Sequence, residues 1–303
     1  MPLDPQKTIN SRLGLSIALM IGRYTPNRIG HPIVDFAADR ISSRKRWRMI
    51  RSVHLNQWVV TGENLNQAAL DDAVRKNFRS TARSIFDLYH NINDPNVFRK
   101  IIDVHPLAEQ LLARPEYAER GLVVAGIHMS NFDFIGQVAG MAGVKAMFLG
   151  LPEMHAGYQK QLEMRKERGM NIVPTNFGTI KQALKYLRDG GVVMTGIDRP
   201  DDSYHYRPLF FGRPAALPIH HIFLALKAQV PILVGSVIWK SDGKYHFLFS
   251  EPIEMQPHPV RHQEIIQNAE GVLHVAEDFI RQDPSQWSMT FPVWPDAMDK
   301  VPL

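Results

Sequence analysis

The sequence predicts an α/β protein: a mainly parallel central sheet flanked by helices, with an N-terminal helical region leading into it. Three observations carry this. Up to about residue 120, apolar residues recur at three- and four-residue spacings, the period of a half-buried helix. From Gly121 the texture changes to short continuous apolar runs, GLVVAGI, VVMTGI and PILVGSVIW, as strands covered on both faces require. These runs alternate with helical patterns, the order expected when crossover helices join parallel strands. Residues 1–120 are therefore read as the helical region and residues 121–303 as the α/β core, most simply as one continuous domain.

The elements follow in order. PIVDFAADRI and WRMIRSVHLNQWVV keep the helical period, and Asn66 to His90 continues it until Asn93-Asp94-Pro95 breaks the pattern. GLVVAGI reads as a strand, Phe132 to Met141 as a helix, KAMFLG as a strand and Glu153 to Arg168 as a helix. NIVP is a short strand. Thr179 to Arg188 is a helix stopped by Gly190-Gly191. VVMTGI is a strand, Pro218 to Ala228 a helix, PILVGSVIW and YHFLFSE strands, and Arg261 to Arg281 a last helix. There are no internal repeats and no low-complexity linker.

Composition narrows the function. The chain has 303 residues, 45% hydrophobic and 21% charged, which is ordinary for a globular protein able to bury a core. It has no cysteine, which excludes disulfides, thiolate metal sites and a cysteine nucleophile. A net charge of +5 favours anionic partners. No basic arm with interleaved aromatics is present, so nucleic acid is not expected. Six basic residues lie between Arg40 and Arg51: Arg40, Arg44, Lys45, Arg46, Arg48 and Arg51. They form either a solvated helix face or a surface that rests on anionic lipid. Leu13 to Gly22, LGLSIALMIG, is too short to span a bilayer unaided, and RYTPNRIG behind it is no cleavage site. It reads as a buried helix, an interfacial helix or a weak anchor.

The residues suited to chemistry sit at strand ends. VVAGIHMSNFDFIG runs off an oily strand into His128, with Asp133 five positions later. Open α/β sheets bind ligands at the carboxyl ends of their strands. A histidine is the side chain best suited to take a proton near neutral pH. A carboxylate can hold its second ring nitrogen, so the pair could activate a hydroxyl that belongs to a substrate. Asn131 offers a hydrogen-bond donor nearby. The plainer alternative is a histidine capping a strand and an aspartate favoured by the helix dipole.

The long polar stretch Gly196 to Pro218 also follows an apolar strand, and a loop of that length is often functional. Its polar candidates are Asp198, Arg199 and Arg213, each arginine with a surface ion pair as its alternative. Arg165, in YQKQLEMRKERG, suits phosphate binding or an ordinary helix surface equally. His220 and His221 are adjacent and lack the spacing of metal ligands, so no metal is expected. A dinucleotide or P-loop glycine pattern and a G-x-S-x-G elbow are both missing.

Taken together, these stretches resemble the bacterial lipid A biosynthesis (lauroyl/myristoyl) acyltransferase family, within the glycerolipid and lysophospholipid acyltransferase superfamily. Phosphatidylinositol mannoside acyltransferases are related to it. The matching blocks stand in family order from about Gly121 to Trp294. They are His128 to Asp133 with Asn131, Arg165 to Gly169, Asp198 after a strand, the FFG-x-x-A run from Phe210 to Ala215, and Pro284, Gln286, Trp287 and Trp294. The chain departs from many lipid A members in carrying Asp133 where they have glutamate and Arg199 where they have glutamine. Its N-terminal apolar segment is also short.

The resemblance implies transfer of a long-chain acyl group from a thioester, acyl-CoA or acyl carrier protein, to a hydroxyl of a lipid or glycolipid. His128 is then the base and Asp133 its orienting acid. Asn131 and Asp198 stabilise the oxyanion or position substrate. Arg165, Arg199 and Arg213 hold phosphate. Phe132, Phe134, Phe210 and Phe211 line an acyl pocket. No cofactor is expected beyond the thioester co-substrate. The implied location is the cytoplasmic face of the inner membrane, with peripheral or weak attachment to its anionic surface. A thioester hydrolase and a non-catalytic lipid-binding protein remain the alternatives.

Overall fold

The computed structural model describes residue 20 and residues 22–91, 100–104, 120–141, 144–151, 162–167 and 169–302. Most of the apolar segment from Leu13 to Gly22 and most of the helix expected over Glu153 to Arg168 lie outside them; within the latter, residues 162–166 are helical.

Among the described residues, helices α1 (Asn27–Ser42), α2 (Arg48–Val60) and α3 (Gln67–Asn91) precede the sheet. The core then alternates β1 (Ile102–Val104), β2 (Leu122–Gly126), α4 (Asp133–Met141), β3 (Ala146–Gly150), β4 (Asn171–Pro174), α5 (Phe177–Arg188) and β5 (Val192–Gly196). It continues through β6 (Leu209–Phe210), β7 (Arg213–Pro214), α6 (His220–Ala228), β8 (Ile232–Trp239), β9 (Tyr245–Phe249) and α7 (Arg261–Gln282). Short 3-10 turns at Pro284–Gln286 and Pro295–Lys300 close the chain.

The expected α/β architecture is present. The seven-stranded sheet runs β1-β9-β8-β2-β5-β3-β4. All neighbouring pairs are parallel except β8 with β9. The central strands are apolar on both faces: Val123, Ala125, Val193, Ile232 and Val234 are buried on one, and Leu122, Val124 and Leu233 on the other. Burial of that kind follows from helices covering both sides of the sheet.

Two local readings change. The region up to residue 120 supplies a strand, β1, which pairs with β9 at the sheet edge. Three residues carry too little periodicity to signal a strand, and the pairing is set by a partner far along the chain. The stretch from Gly196 to Pro218 also contains structure. β6 and β7 pair antiparallel across Phe211-Gly212, both with positive φ (50° and 72°), as a two-residue hairpin turn needs.

The N-terminal helices grip the C-terminal segment through buried amides. Asn56 of α2 donates to the carbonyls of Met289 and Phe291 and accepts from the backbone N–H of Val293. Gln57 donates to Pro284, and Asn77 of α3 donates to Ser285 and Trp287. An irregular buried backbone needs partners for its polar groups, and these side chains provide them.

Candidate active site

β2 and β5 are parallel neighbours, in register with Gly126 opposite Gly196. Both strands leave the sheet as Gly-Ile-X. His128 and Asp198 therefore emerge side by side at the carboxyl edge. His128 Nδ1 lies 2.6 Å from Asp198 Oδ1, and the His128 backbone N–H donates to Oδ2 at 2.9 Å. Trp287 Nε1 donates to the same Oδ2 at 2.8 Å. Gly196 makes room for the ring, because a Cβ there would stand 3.0 Å from His128 Cε1.

Asp198 is 0% exposed. Burial pushes its carboxyl pKa up, but the His128 charge and the hydrogen bonds from His128 and Trp287 outweigh this and hold it below the usual carboxylate range. An ionised Asp198 makes Nδ1 the protonated nitrogen of a neutral His128 ring. That leaves the Nε2 lone pair as the acceptor.

The loop after His128 is clamped by the C-terminal segment. Ser130 has φ of 46°. Its N–H donates to the Gln286 carbonyl at 2.7 Å, and the Ser288 N–H donates to the His128 carbonyl at 2.8 Å. A β-branch-free serine in the left-handed region costs about 1–3 kcal/mol, and such strain persists only where surrounding contacts enforce it.

Several expected site residues move to other roles. Asp133, expected to hold the His128 ring, instead pairs with Arg165, whose Nη2 lies 2.7 Å and 2.9 Å from its two carboxylate oxygens. Asp133 opens α4, so its side chain leaves along the helix start while Asp198 occupies the space beside the ring. Asn131, expected to face the oxyanion, is buried and donates to the Ser84 carbonyl of α3 at 2.7 Å. Arg213, expected to bind phosphate, pairs with Glu63. Phe134 packs edge-on to Tyr245 in the core. Phe210 stacks on Trp294, and Phe211 meets Trp294 edge-on. None of these last four phenylalanine or arginine side chains lines the cavity beside His128.

That cavity has a volume of about 560 Å³. It brings together His128, Phe132, Asp133, Arg165 and Arg199 of the expected set. Phe132 meets the His128 ring edge-on at 4.6 Å. Arg199 lies over the Phe291 ring at 4.2 Å. The remaining wall is largely apolar, with Val124, Ile127, Ile135, Phe148, Met170, Ile172 and Met194. A greasy concavity with a few placed polar groups is the usual form of a small-molecule site.

Sequence reasoning missed the wall formed by Phe148, Met170, Ile172 and Met194, which the strands beside β2 and the segment leading into β4 bring in. It also left His220 without a role. His220 lines the cavity, with Nε2 2.6 Å from Thr195 Oγ1. Removal from water lowers its pKa to about 4. One signal did exist for the central pair: GIH at 126–128 and GID at 196–198 repeat one another after two apolar strands.

Among the described residues, no helix is long and apolar enough to cross a membrane. No curated protein matches the chain. The model of the family described as bacterial lipid A biosynthesis acyltransferase matches residues 7–295, which include every helix and strand lining the cavity. A match over nearly the whole length makes this chain a member of the bacterial lipid A biosynthesis acyltransferase family, and hence an acyltransferase.

Proposed function

We propose that this chain transfers a fatty acyl group from a thioester, on coenzyme A or acyl carrier protein, directly to a hydroxyl of a lipid or glycolipid. One observation carries the reading: a histidine with its Nδ1 held by a buried carboxylate stands at the edge of a largely apolar cavity that also contains two arginines.

His128 Nε2 takes the proton of the acceptor hydroxyl as its oxygen bonds to the thioester carbonyl carbon. Asp198 fixes the tautomer and stabilises the imidazolium. The tetrahedral intermediate collapses, the carbon–sulfur bond breaks, and the leaving thiolate takes a proton from the imidazolium. No acyl-enzyme forms. Arg165, braced by Asp133, and Arg199 bind phosphate of donor or acceptor. The apolar wall receives the acyl chain. Work on a lipid acceptor calls for a membrane surface, and we assign the protein to the cytoplasmic face of the inner membrane, peripheral or weakly anchored.

The test is free-thiol release from long-chain acyl-CoA and acyl carrier protein, with and without a panel of lipid acceptors. Acceptor-dependent release that falls about 10³-fold in His128→Ala supports the reading. Equal release without acceptor would make the protein a hydrolase. No release from either donor would leave a lipid-binding protein.

A further inference from the structure

The outward face of α1 carries an unusual pattern. Ile29, Ile33 and Phe36 are 56%, 46% and 62% exposed, although large apolar side chains normally face a core. Their spacing of four and three puts them on one stripe of the helix, and Arg40, four residues on, extends it. The Arg40 guanidinium lies over the Phe36 ring at 5.1 Å. Just before the helix, exposed Tyr24 has the Arg23 guanidinium over its ring at 5.5 Å.

The charged residues of this segment are mostly cationic. Asp35 and Asp39 are the only acids between Met20 and Arg51. Both are neutralised by α3, Asp35 by Arg83 and Asp39 by Arg79. Arg23, Arg28, Arg40 and Arg44 remain exposed. The outer stripe is therefore apolar along its centre, with the cationic Arg40 on it and exposed Arg23 and Arg44 at its ends.

We propose that this face of α1 is the surface by which the protein docks on an anionic lipid bilayer, with Ile29, Ile33 and Phe36 entering the headgroup–acyl boundary. An amphipathic helix with arginines beside a bulky apolar stripe is suited to that boundary. Each arginine near the lipid surface gains from its negative potential. A second copy of this chain is a poor occupant, because a two-fold contact would set the arginines of one face against those of the other. Nucleic acid would leave the apolar stripe unmatched.

The position also fits the site. α1 packs on α3 through Gly30, where a Cβ would stand 2.1 Å from the Phe86 ring, and through His31, 2.7 Å from Asp87. Ser84 of α3 receives the Asn131 amide from the loop that follows His128. The docking face is thus one helix away from the catalytic loop. The inference deepens the lipid-acceptor reading, but it is measured without acyl donor. An inactive protein that docks would sink that reading and leave this one standing.

The chain has no cysteine, so a single introduced thiol labels one site. The full chain with Ile33→Cys, carrying an environment-sensitive fluorophore, is mixed with vesicles of equal parts phosphatidylcholine and phosphatidylglycerol. A second label at Lys244→Cys, exposed on the β8–β9 turn, is the reference. The expected result is a blue shift at position 33, quenching there by bromolipid, and an unchanged label at 244. Combined serine substitution of Ile29, Ile33 and Phe36 in the otherwise unaltered chain should weaken vesicle sedimentation about tenfold or more. High salt should weaken it as well. Sedimentation with no shift at position 33 would overturn the proposal, as would no sedimentation at all. A shift that appears without vesicles and rises with protein concentration would assign the face to self-association instead.

Discussion

The Trp287 indole N–H donates a 2.8 Å hydrogen bond to Oδ2 of Asp198, whose other oxygen holds Nδ1 of His128. A C-terminal tryptophan, a strand-end aspartate and a strand-end histidine thus form one line of hydrogen bonds. Trp287 is 1% exposed, so no water replaces its N–H. Hydrogen bonds to a buried charge contribute about 1.5–3 kcal/mol each.

Trp287→Phe removes this donor and keeps most of the ring volume. We expect kcat to fall about tenfold or more, with KM little changed, since Trp287 holds Asp198 and does not line the cavity. The acid limb of the kcat–pH profile should also move, because Asp198 loses a bond that holds its pKa down. A fall in kcat with an unshifted profile would mark the tryptophan as packing alone.

Asp198→Asn and Asp133→Asn should separate. Asparagine at 198 can offer its N–H₂ to Nδ1 and reverse the tautomer, so kcat should drop about 10³-fold or more while the fold persists. At 133 it weakens the ion pair with Arg165, so the main effect should be a rise of KM for the phosphate-bearing substrate, about tenfold. Steady-state kinetics with each substrate varied in turn distinguish the two, and equal kcat losses would refute the division.

Chain-length preference should depend on Gly136 and Met170. A Cβ on Gly136 would stand 2.1 Å from Met170 Cε and 3.1 Å from Phe148. Gly136→Val displaces the Met170 side chain toward the cavity and should shift preference to shorter acyl chains. Met170→Ala opens it and should favour longer ones, at a stability cost of about 2–5 kcal/mol. Competition between acyl thioesters of graded length reads both changes.

Stability should fall in mild acid through His220. Its folded pKa of about 4 lies below the ordinary value of 6.5, so the unfolded chain binds more protons between these limits. The contribution is complete above pH 6.5 and is lost as pH falls toward 4, roughly 3 kcal/mol in all. Urea unfolding of the native chain and of His220→Gln across that window should show the smaller slope in the variant. Parallel slopes would exclude His220 as a source.

Local features of the core were legible in the sequence. The switch at Gly121 from helical spacing to continuous apolar runs marks where the sheet strands begin in earnest. β2, β5 and β8 are recognisable from their own residues, because a strand covered on both faces must be apolar throughout. β1 was hidden because three residues show no period and take their conformation from β9. The packing of Phe210 and Phe211 was hidden for a related reason. An aromatic near a polar loop looks the same whether it meets ligand or, as here, Trp294.

By itself, the sequence determined the α/β class, the strand ends where chemistry belongs, and His128 as the base candidate. Only the tertiary structure decided which acid stands beside it. Asp133 is five residues away along the chain but starts a helix and turns to Arg165. Asp198 is 70 residues away, yet the parallel register of β2 and β5 sets it against the ring. Local spacing reports backbone conformation, whereas contact between side chains depends on which strands pair, and that pairing is fixed by burial of the whole sheet.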